Sequence, residues 1–267
     1  ERVFIFLSIV KIVSIQKYLN TYKVKNIITH ADMQPVENFI VQFFKEKKLK
    51  TVTLQHGLYI DYSKYPNINE VNYKNIVSDY FLAWGEETKE LVTKYHPQCK
   101  VLICGNPVIE NNNERKMSEE FFAVVFDQEI FKEYNERLIN IAKQISDACG
   151  LRILLRPHPS NNLSEYRMHN IEFIKGEDIN KSKFVLGHTT TMMSQLMRVG
   201  IPVFKYKTKI PSNKIINKLV FSNFEELILK LNKIDTINFS SEGKYYIEYL
   251  GSESLEVYNK VFKEITE

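Results

Sequence analysis

The sequence predicts an α/β protein of two Rossmann-like domains that face a cleft, each built around a mostly parallel sheet. Three observations carry this expectation. Apolar runs of strand length alternate with segments of helical period along nearly the whole chain. A polar, aperiodic stretch, Asn111 to Lys116, interrupts the alternation and reads as a linker. Polar and basic turns follow several of the apolar runs, at the carboxyl ends of the implied strands, where open α/β sheets bind ligands.

In the first domain, residues 1–110, Asn26 to His30 is the first strand. Val36 to Lys47 carries apolar residues at helical spacing and closes on lysines, which suit a helix C-terminus. Thr51 to Gln55 is the next strand, followed by Asp79 to Trp84 as strand, Glu86 to Tyr95 as helix and Lys100 to Cys104 as strand, ending on Gly105-Asn106-Pro107. The second domain, residues 117–252, restarts the pattern with Phe122 to Phe126 as strand. A long amphipathic helix, Ile130 to Ala148, stops near Gly150, and Arg152 to Leu155 is the strand after it. Ile171 to Lys175, Phe184 to Gly187 and Pro202 to Tyr206 are further strands, with a helix from Thr191 to Val199 between the last two. Leu255, Tyr258, Phe262 and Ile265 share one helical face, which predicts a terminal helix within residues 253–267.

Composition narrows the function classes. With 44% apolar residues in 267, the chain can fill two cores, so disorder is excluded. Its 36 basic and 32 acidic residues are interleaved rather than blocked, which argues against a nucleic-acid partner. Lys45 to Lys50 is the exception. It reads first as the solvated end of a helix, and second as attraction to an anionic membrane or phosphorylated acceptor, a peripheral membrane association. Cys99, Cys104 and Cys149 fit neither a disulfide framework nor a zinc-ligand spacing, so they read as small buried hydrophobes in a reducing, cytoplasmic compartment. Val3 to Val13 is short and interrupted by Lys11, so no transmembrane anchor is expected. Neither a Walker loop nor a GxGxxG fingerprint occurs, and no Cys/His array or carboxylate cluster argues for a metal or other cofactor.

The strongest constellation lies in the second domain. Arg156-Pro157-His158-Pro159-Ser160-Asn161 brings a cation and an imidazole to a strand end stiffened by prolines. Gly187-His188-Thr189-Thr190-Thr191 opens a helix, which would aim backbone N–H groups and hydroxyls at an anion. Simple N-capping is the plainer reading of the threonines, and an exposed loop is the plainer reading of the first turn. Together the two turns read as a cradle for a nucleotide's phosphates. In the first domain, Gln55-His56-Gly57 ends a strand with an imidazole able to take a proton at neutral pH. Asp32, after the neighbouring strand, would orient His56 or act as base itself. A structural histidine is as good a reading of His56 taken alone. Tyr59, Tyr62 and Tyr65 would line an acceptor pocket, and His96 and His169 read as surface residues without a role.

On these residues the chain resembles the GT-B glycosyltransferase superfamily, specifically bacterial capsule, teichoic-acid and sialyltransferase-like enzymes of surface polysaccharides. Gln55-His56-Gly57 resembles the W-H-G segment of teichoic-acid glycerophosphotransferases, whose histidine is assigned as catalytic base. Gly105-Asn106-Pro107 is similar to the glycine-containing segment that ends the first domain in these families. Arg156 to Pro159 resembles the HP motif, whose histidine contacts the donor's phosphate, and Thr189 to Thr191 the hydroxyl-rich motif that completes the contact. Two features depart from the pattern. The D/E-D/E-G acid motif is absent and Gln55 replaces a tryptophan, so the donor is left undecided. The first domain is also short for this architecture, which implies that part of the acceptor-binding half lies upstream of Glu1.

The resemblance implies a metal-independent transferase moving a sugar, or a sugar-alcohol phosphate, from a CMP-, CDP- or UDP-linked donor to a hydroxyl of a glycan or lipid-linked glycan. His56 and Asp32 would be catalytic, with Arg156, His158, Thr189, Thr190 and Thr191 on the donor phosphate. Gln55, Gly57, Gly105, Asn106, Ser160, Asn161 and His188 would line the rest of the cleft. The location expected is cytoplasmic, at the inner face of the cell membrane for a lipid-linked acceptor. Two alternatives stand beside this: a nucleotide-sugar 2-epimerase, and a noncatalytic nucleotide-sugar or glycan-binding module of a larger synthase.

Overall fold

In a computed structural model the described residues are 2–22, 24–57, 75–109, 118, 120–166, 171–174, 176–210, 215 and 217–267. The chain divides into two compact units, Glu1–Glu110 with Tyr245–Glu267, and Asn111–Lys244. The C-terminal segment from Tyr245 therefore belongs to the first unit, whereas the sequence reading runs the second domain to residue 252 and sets the last helix apart. The predicted linker, Asn111 to Lys116, lies outside the described residues.

Unit 1 holds a four-stranded parallel sheet in the order β1 (Asn26–His30), β2 (Lys50–Leu54), β3 (Tyr80–Ala83) and β4 (Lys100–Ile103). Parallel neighbours need crossovers. Pro35–Glu46 (α2) and Glu86–Tyr95 (α3) make two of them. α2 buries Ile40, Val41 and Phe44, the i, i+1, i+4 positions of one stripe, and Ile40 and Phe44 pack against Ile12 of α1 (Arg2–Thr21). On another side of the sheet, Val52, Leu82 and Cys104 pack against Val261 and Ile265 of α9 (Gly251–Thr266). Helix α1 is absent from the sequence reading. It exposes Val3, Ile5, Phe6, Leu7, Ile9, Val10 and Val13, so its first turns are apolar around most of their circumference and show no single stripe. No helix among the described residues is long and apolar enough to cross a membrane.

Unit 2 holds a six-stranded parallel sheet in the order β10-β9-β8-β5-β6-β7. Its strands are β5 (Phe121–Val125), β6 (Arg152–Arg156), β7 (Glu172–Phe173), β8 (Val185–Gly187), β9 (Val203–Tyr206) and β10 (Val220–Phe221). Every residue of β5 is buried, as a central parallel strand covered on both faces requires. Helix α4 (Lys132–Cys149) buries Leu138, Ile139, Ala142 and Ile145 and stops at Gly150, whose φ of 68° only glycine adopts freely. The short helices are α5 (Leu163–Tyr166), α6 (Met192–Arg198), α7 (Phe224–Leu231) and α8 (Phe239–Gly243). Of these only α6 is given bounds in the sequence reading, although Glu225 and Glu226 of α7 read there as solvated helix charges. Strand β5 is flanked by β6 on one side and β8 on the other, so the strand order reverses there. Such a switch point opens a crevice beyond the carboxyl ends of the strands.

Candidate functional site

In unit 1 the carboxyl ends of β1 and β2 bring His30 and His56 together, ring centroids 5.1 Å apart and planes at 68°. Much of His56 faces solvent, yet partial burial of the ring, and then the neighbouring His30, hold its pKa below the ordinary 6.5. Both effects keep the imidazole neutral and able to accept a proton. Asp32 is not its partner. The Asp32 carboxylate is fully buried, and its Oδ2 accepts hydrogen bonds from Val77 N (3.0 Å), Ser78 N (2.8 Å) and Ser78 Oγ (2.7 Å). It holds the backbone that leads into β3, a structural task in place of the predicted catalytic one.

Gln55, Gly105 and Asn106 also serve the fold. Gln55 is buried; its Oε1 accepts from Trp84 N at 2.6 Å, and its Nε2 donates to Gly57 O at 2.8 Å and Thr88 Oγ1 at 3.0 Å. This clamp joins the ends of β2 and β3 to α3 and fixes where His56 leaves the sheet. Gly105 has φ +77°, and a Cβ there would stand 2.2 Å from Tyr249 O. Beside it Asn106 N donates to Tyr249 O at 2.9 Å and Gly251 N to Asn106 O at 3.3 Å. The glycine is needed for this close approach of two backbones. Tyr59, Tyr62, Tyr65 and His169 lie outside the described residues. His96 is half-buried, and Cys149 is exposed rather than buried as expected.

In unit 2 the two predicted turns leave β6 and β8, on either side of the end of β5. Two strand spacings separate them, roughly 10 Å. The His158 loop is locked from within. Asn161, buried, accepts from His158 N at 2.7 Å through Oδ1, while its Nδ2 donates to Asp127 O and Glu129 Oε2, both at 3.1 Å. Ser160 N donates to His158 Nδ1 at 3.1 Å, and Ser160 Oγ lies 2.8 Å from the same nitrogen. A backbone N–H can only donate, so Nδ1 is the unprotonated nitrogen and the neutral ring carries its hydrogen on Nε2. His158 thus has a donor left for a ligand, next to Arg156 at the end of β6.

The second turn divides its labour. His188 is buried, with Nε2 2.8 Å from Asn135 Oδ1, and that oxygen also accepts from Asp127 N at 3.3 Å. Asn135 Nδ2 donates to Asp127 O at 3.1 Å, which fixes the orientation of the amide. His188 Nε2 is therefore the protonated nitrogen, and Nδ1 accepts from the hydroxyl of buried Thr189. That bond uses the Thr189 hydroxyl hydrogen, so its side chain braces the turn instead of donating to a phosphate. Burial pushes the His188 pKa down to about 4, with Lys205 acting in the same direction and Asp127 against it.

Helix α6 differs from expectation as an anion site. It has seven residues, and its first N–H groups are already used: Met193 N on Thr190 O, Ser194 N and Gln195 N on Thr191 O, and Met192 N on Thr190 Oγ1. Thr191 occupies the N-cap but makes no capping bond with its side chain. The donors that remain are the backbone N–H groups of Thr190 and Thr191 and their hydroxyls, for which no acceptor stands among the described residues. With Arg156 and His158 Nε2–H these make a set that suits a phosphate.

Three residues of this region are missing from the sequence reading: Asp127, Asn135 and Lys205. Asp127 follows the apolar run Phe121–Phe126 directly, and Lys205 interrupts the apolar strand Val203–Tyr206, so both carry the signal of a charge at a buried strand end. Asn135 falls on the buried stripe of α4 with Leu138, Ile139 and Ala142.

No protein-family model matches the chain, and no curated protein is significantly similar to it. Solved structures do match. UDP-GlcNAc 2-epimerase from Neisseria meningitidis, bound to UDP-GlcNAc, superposes with a TM-score of 0.65 at 14% identity, over 97% of this chain and 82% of that one. The S. aureus protein MnaA with UDP gives 0.61 at 14%, over 97% and 79%. A variant of the wall teichoic acid polymerase TagF soaked with CDPG gives 0.51 at 12%, over 90% and 72%. At such identities the likeness is one of fold: an α/β chain of two Rossmann-like units, of the GT-B type.

Proposed function

We propose that the chain acts on a nucleotide-activated substrate, as a metal-independent transferase that moves a sugar or sugar-alcohol phosphate to a hydroxyl of a bacterial surface polysaccharide. The observation that carries this is the donor set of unit 2: His158 with its hydrogen on Nε2, Arg156 at the end of the same strand, and the open N–H and O–H groups of Thr190 and Thr191 across the end of β5. Donors aimed at a departing phosphate stabilise the negative charge that grows there as the bond to the transferred group breaks. From unit 1, His56 takes the proton of the acceptor hydroxyl; its depressed pKa keeps it in the accepting form at neutral pH. The partners are a CMP-, CDP- or UDP-linked donor and a glycan or lipid-linked glycan acceptor. The location is cytoplasmic, at the inner membrane face when the acceptor is lipid-linked.

The second reading is a nucleotide-sugar 2-epimerase, favoured by the fold likeness to UDP-GlcNAc 2-epimerases. One experiment separates the two. The purified chain is incubated with UDP-GlcNAc or another CMP-, CDP- or UDP-linked sugar or alditol, with and without a glycan acceptor and with EDTA, and products are followed by mass spectrometry and NMR. Transfer that needs the acceptor, survives EDTA and falls about 100-fold or more in His158→Ala supports the transferase. Conversion of UDP-GlcNAc without acceptor selects the epimerase. Nucleotide binding that persists with neither reaction, and is indifferent to His56→Ala, selects a binding module.

A further inference from the structure

Helix α1 is covered on one side only. Ile12 is buried against Ile40 and Phe44 of α2, Ile15 packs on the same cluster, and buried Ser8 completes that face. A helix turns about 100° per residue, so Val3, Phe6, Val10 and Val13 lie within about 50° of the opposite direction, with Leu7 and Ile9 at about a right angle on either side. These six side chains and Ile5 are 45% to 68% exposed. Together they leave on the order of 600 Å² of apolar surface in water, the upper end of what a monomer carries in its largest patch.

Shape and charge decide what covers this ridge. It is convex and spans about 200° of the helix, roughly twice the stripe by which a helix seats on one neighbour, so a partner helix would leave its flanks wet while lipid closes around it. Its area also falls short of the roughly 800 Å² that each partner of a stable protein interface buries. Residues 2–25 carry Arg2, Lys11, Lys17, Lys23 and Lys25 and no aspartate or glutamate. Lys17 is exposed and continues the outward face beyond Val13. Leu49 packs on the same cluster as Ile12, and Lys47 and Lys48 just before it are exposed. The acidic neighbours are Glu37, which pairs with Lys11 at 3.7 Å, Asp79, which pairs with Lys45 at 2.9 Å, and Glu46 at the end of α2. A second copy meeting this face would bring like charges together, whereas an anionic surface attracts them.

We propose that unit 1 docks through α1 on the surface of an anionic bilayer, the helix lying in the plane of the interface with Phe6, Val10 and Val13 among the acyl chains and Lys17 at the headgroups. Packing of Ile12 and Ile15 on the α2 cluster holds α1 by its side, so it rests on the membrane and does not cross it. The four-carbon stem of Lys17 lets its ammonium reach the headgroups while the apolar residues before it are inserted. The lysines that close α2 add attraction at a distance of up to a Debye length, which draws the ridge onto anionic lipid in preference to neutral lipid. Docking of this kind goes beyond the transfer reaction and stands without it, since it involves neither nucleotide nor acceptor.

The test is flotation of the purified chain with nucleotide-free vesicles of phosphatidylcholine, with and without phosphatidylglycerol, at low and high salt. Sedimentation velocity without vesicles and hydrogen exchange with and without them accompany it. Wild type should bind the phosphatidylglycerol vesicles about 10-fold or more tightly than the neutral ones, and less so at high salt. The triple variant Phe6→Gln, Val10→Gln, Val13→Gln should lose about 100-fold in binding to them with its melting temperature unchanged, because these side chains are already in water. Lys17→Gln should lose about fivefold, at low salt only. In wild type, vesicles should slow exchange in α1 and leave the six-stranded sheet of unit 2 as it was. If the triple variant does not fold, that exchange pattern decides the question. Absence of vesicle binding by wild type would overturn the proposal, as would undiminished binding by a folded triple variant or protection that spares α1. A dimer that dissociates in the triple variant, from a chain that binds no vesicle, would assign the ridge to a second copy instead.

Discussion

Lowering the pH from 7 to 4 should destabilise unit 2 through one residue, His188. Its ring is buried and neutral, with Nε2–H on Asn135 Oδ1 and Nδ1 accepting from the Thr189 hydroxyl, so an added proton would put a charge where burial has stripped away the water that solvates it. Burial holds the folded pKa at about 4 against the ordinary 6.5 of an imidazole. Between those values the unfolded chain binds a proton that the folded chain refuses, so stability falls as pH drops from 6.5 and the loss levels off below about 4. The two values imply on the order of 3 kcal/mol, at 1.36 kcal/mol for each pH unit of separation. Other groups titrate in this window, so the informative quantity is a difference. Urea unfolding of wild type and His188→Gln would be followed by pulsed hydrogen exchange in β5 and β8 at several pH values. Glutamine keeps a donor for Asn135 and cannot titrate, so its curve should lose less stability on acidification, and the gap between the curves should open through pH 5. Parallel curves would refute the reasoning, because they would mean that His188 takes its proton as readily folded as unfolded.

The remaining expectations use the same bonding assignments. Thr191→Val should weaken UDP or CDP binding about 10-fold with little change in melting temperature, whereas Thr189→Val should lower the melting temperature, because it strips the buried His188 Nδ1 of its donor. Equal effects of the two on binding would contradict the division of labour within the turn. Gly105→Ala should destabilise unit 1 by about 3 kcal/mol or more, since a positive φ and an overlap with Tyr249 backbone at 2.2 Å cannot both be relieved; a urea midpoint within error of wild type would count against it. Asp32→Asn should cost about 3 kcal/mol in unfolding free energy by weakening the three bonds to Val77 and Ser78. It should leave the NMR titration of His56 where it was, which a partnership between the two would not allow.

How much of this was legible in the sequence depends on the range of the interaction that decides each feature. Apart from β10 (Val220–Phe221), which the sequence reading lacks, the strands described here were readable within a residue or two at their ends, because a parallel strand covered on both faces needs an unbroken apolar run and little else. β5 is the clearest case, with Phe121–Val125 buried throughout. Helix α1 was not readable. Its β-branched and aromatic residues occupy most positions from Val3 to Val13, so there is no polar side to define a stripe, and the burial of Ser8 and Ile12 had to come from contact with other segments. The return of Tyr245–Glu267 to unit 1 was equally hidden, since it rests on Glu248 N meeting Trp84 O and Asn106 N meeting Tyr249 O across the chain.

The proposed phosphate cradle shows the same limit at the level of single hydrogens. Residue types and turn positions marked Arg156, His158 and the threonines as donors, and that much is local chemistry. Which donors are still open is not local. Thr189 is spent because His188 faces it with a bare nitrogen, and the nitrogen is bare because Asn135, 53 residues earlier on α4, accepts from the other side of the ring. Asn135 in turn can only accept there because Asp127 N and Asp127 O hold its amide in one orientation. A run of three threonines therefore resolves into one brace and two free donors through a chain of bonds that starts at the end of the central strand. Asp127 anchors that chain at one end and acts on His188 together with Lys205. The hydrogen-bonding state of the turn and the electrostatics of any anion above it are consequently set by one buried network, and a substitution at Asp127 or Asn135 should disturb both at once.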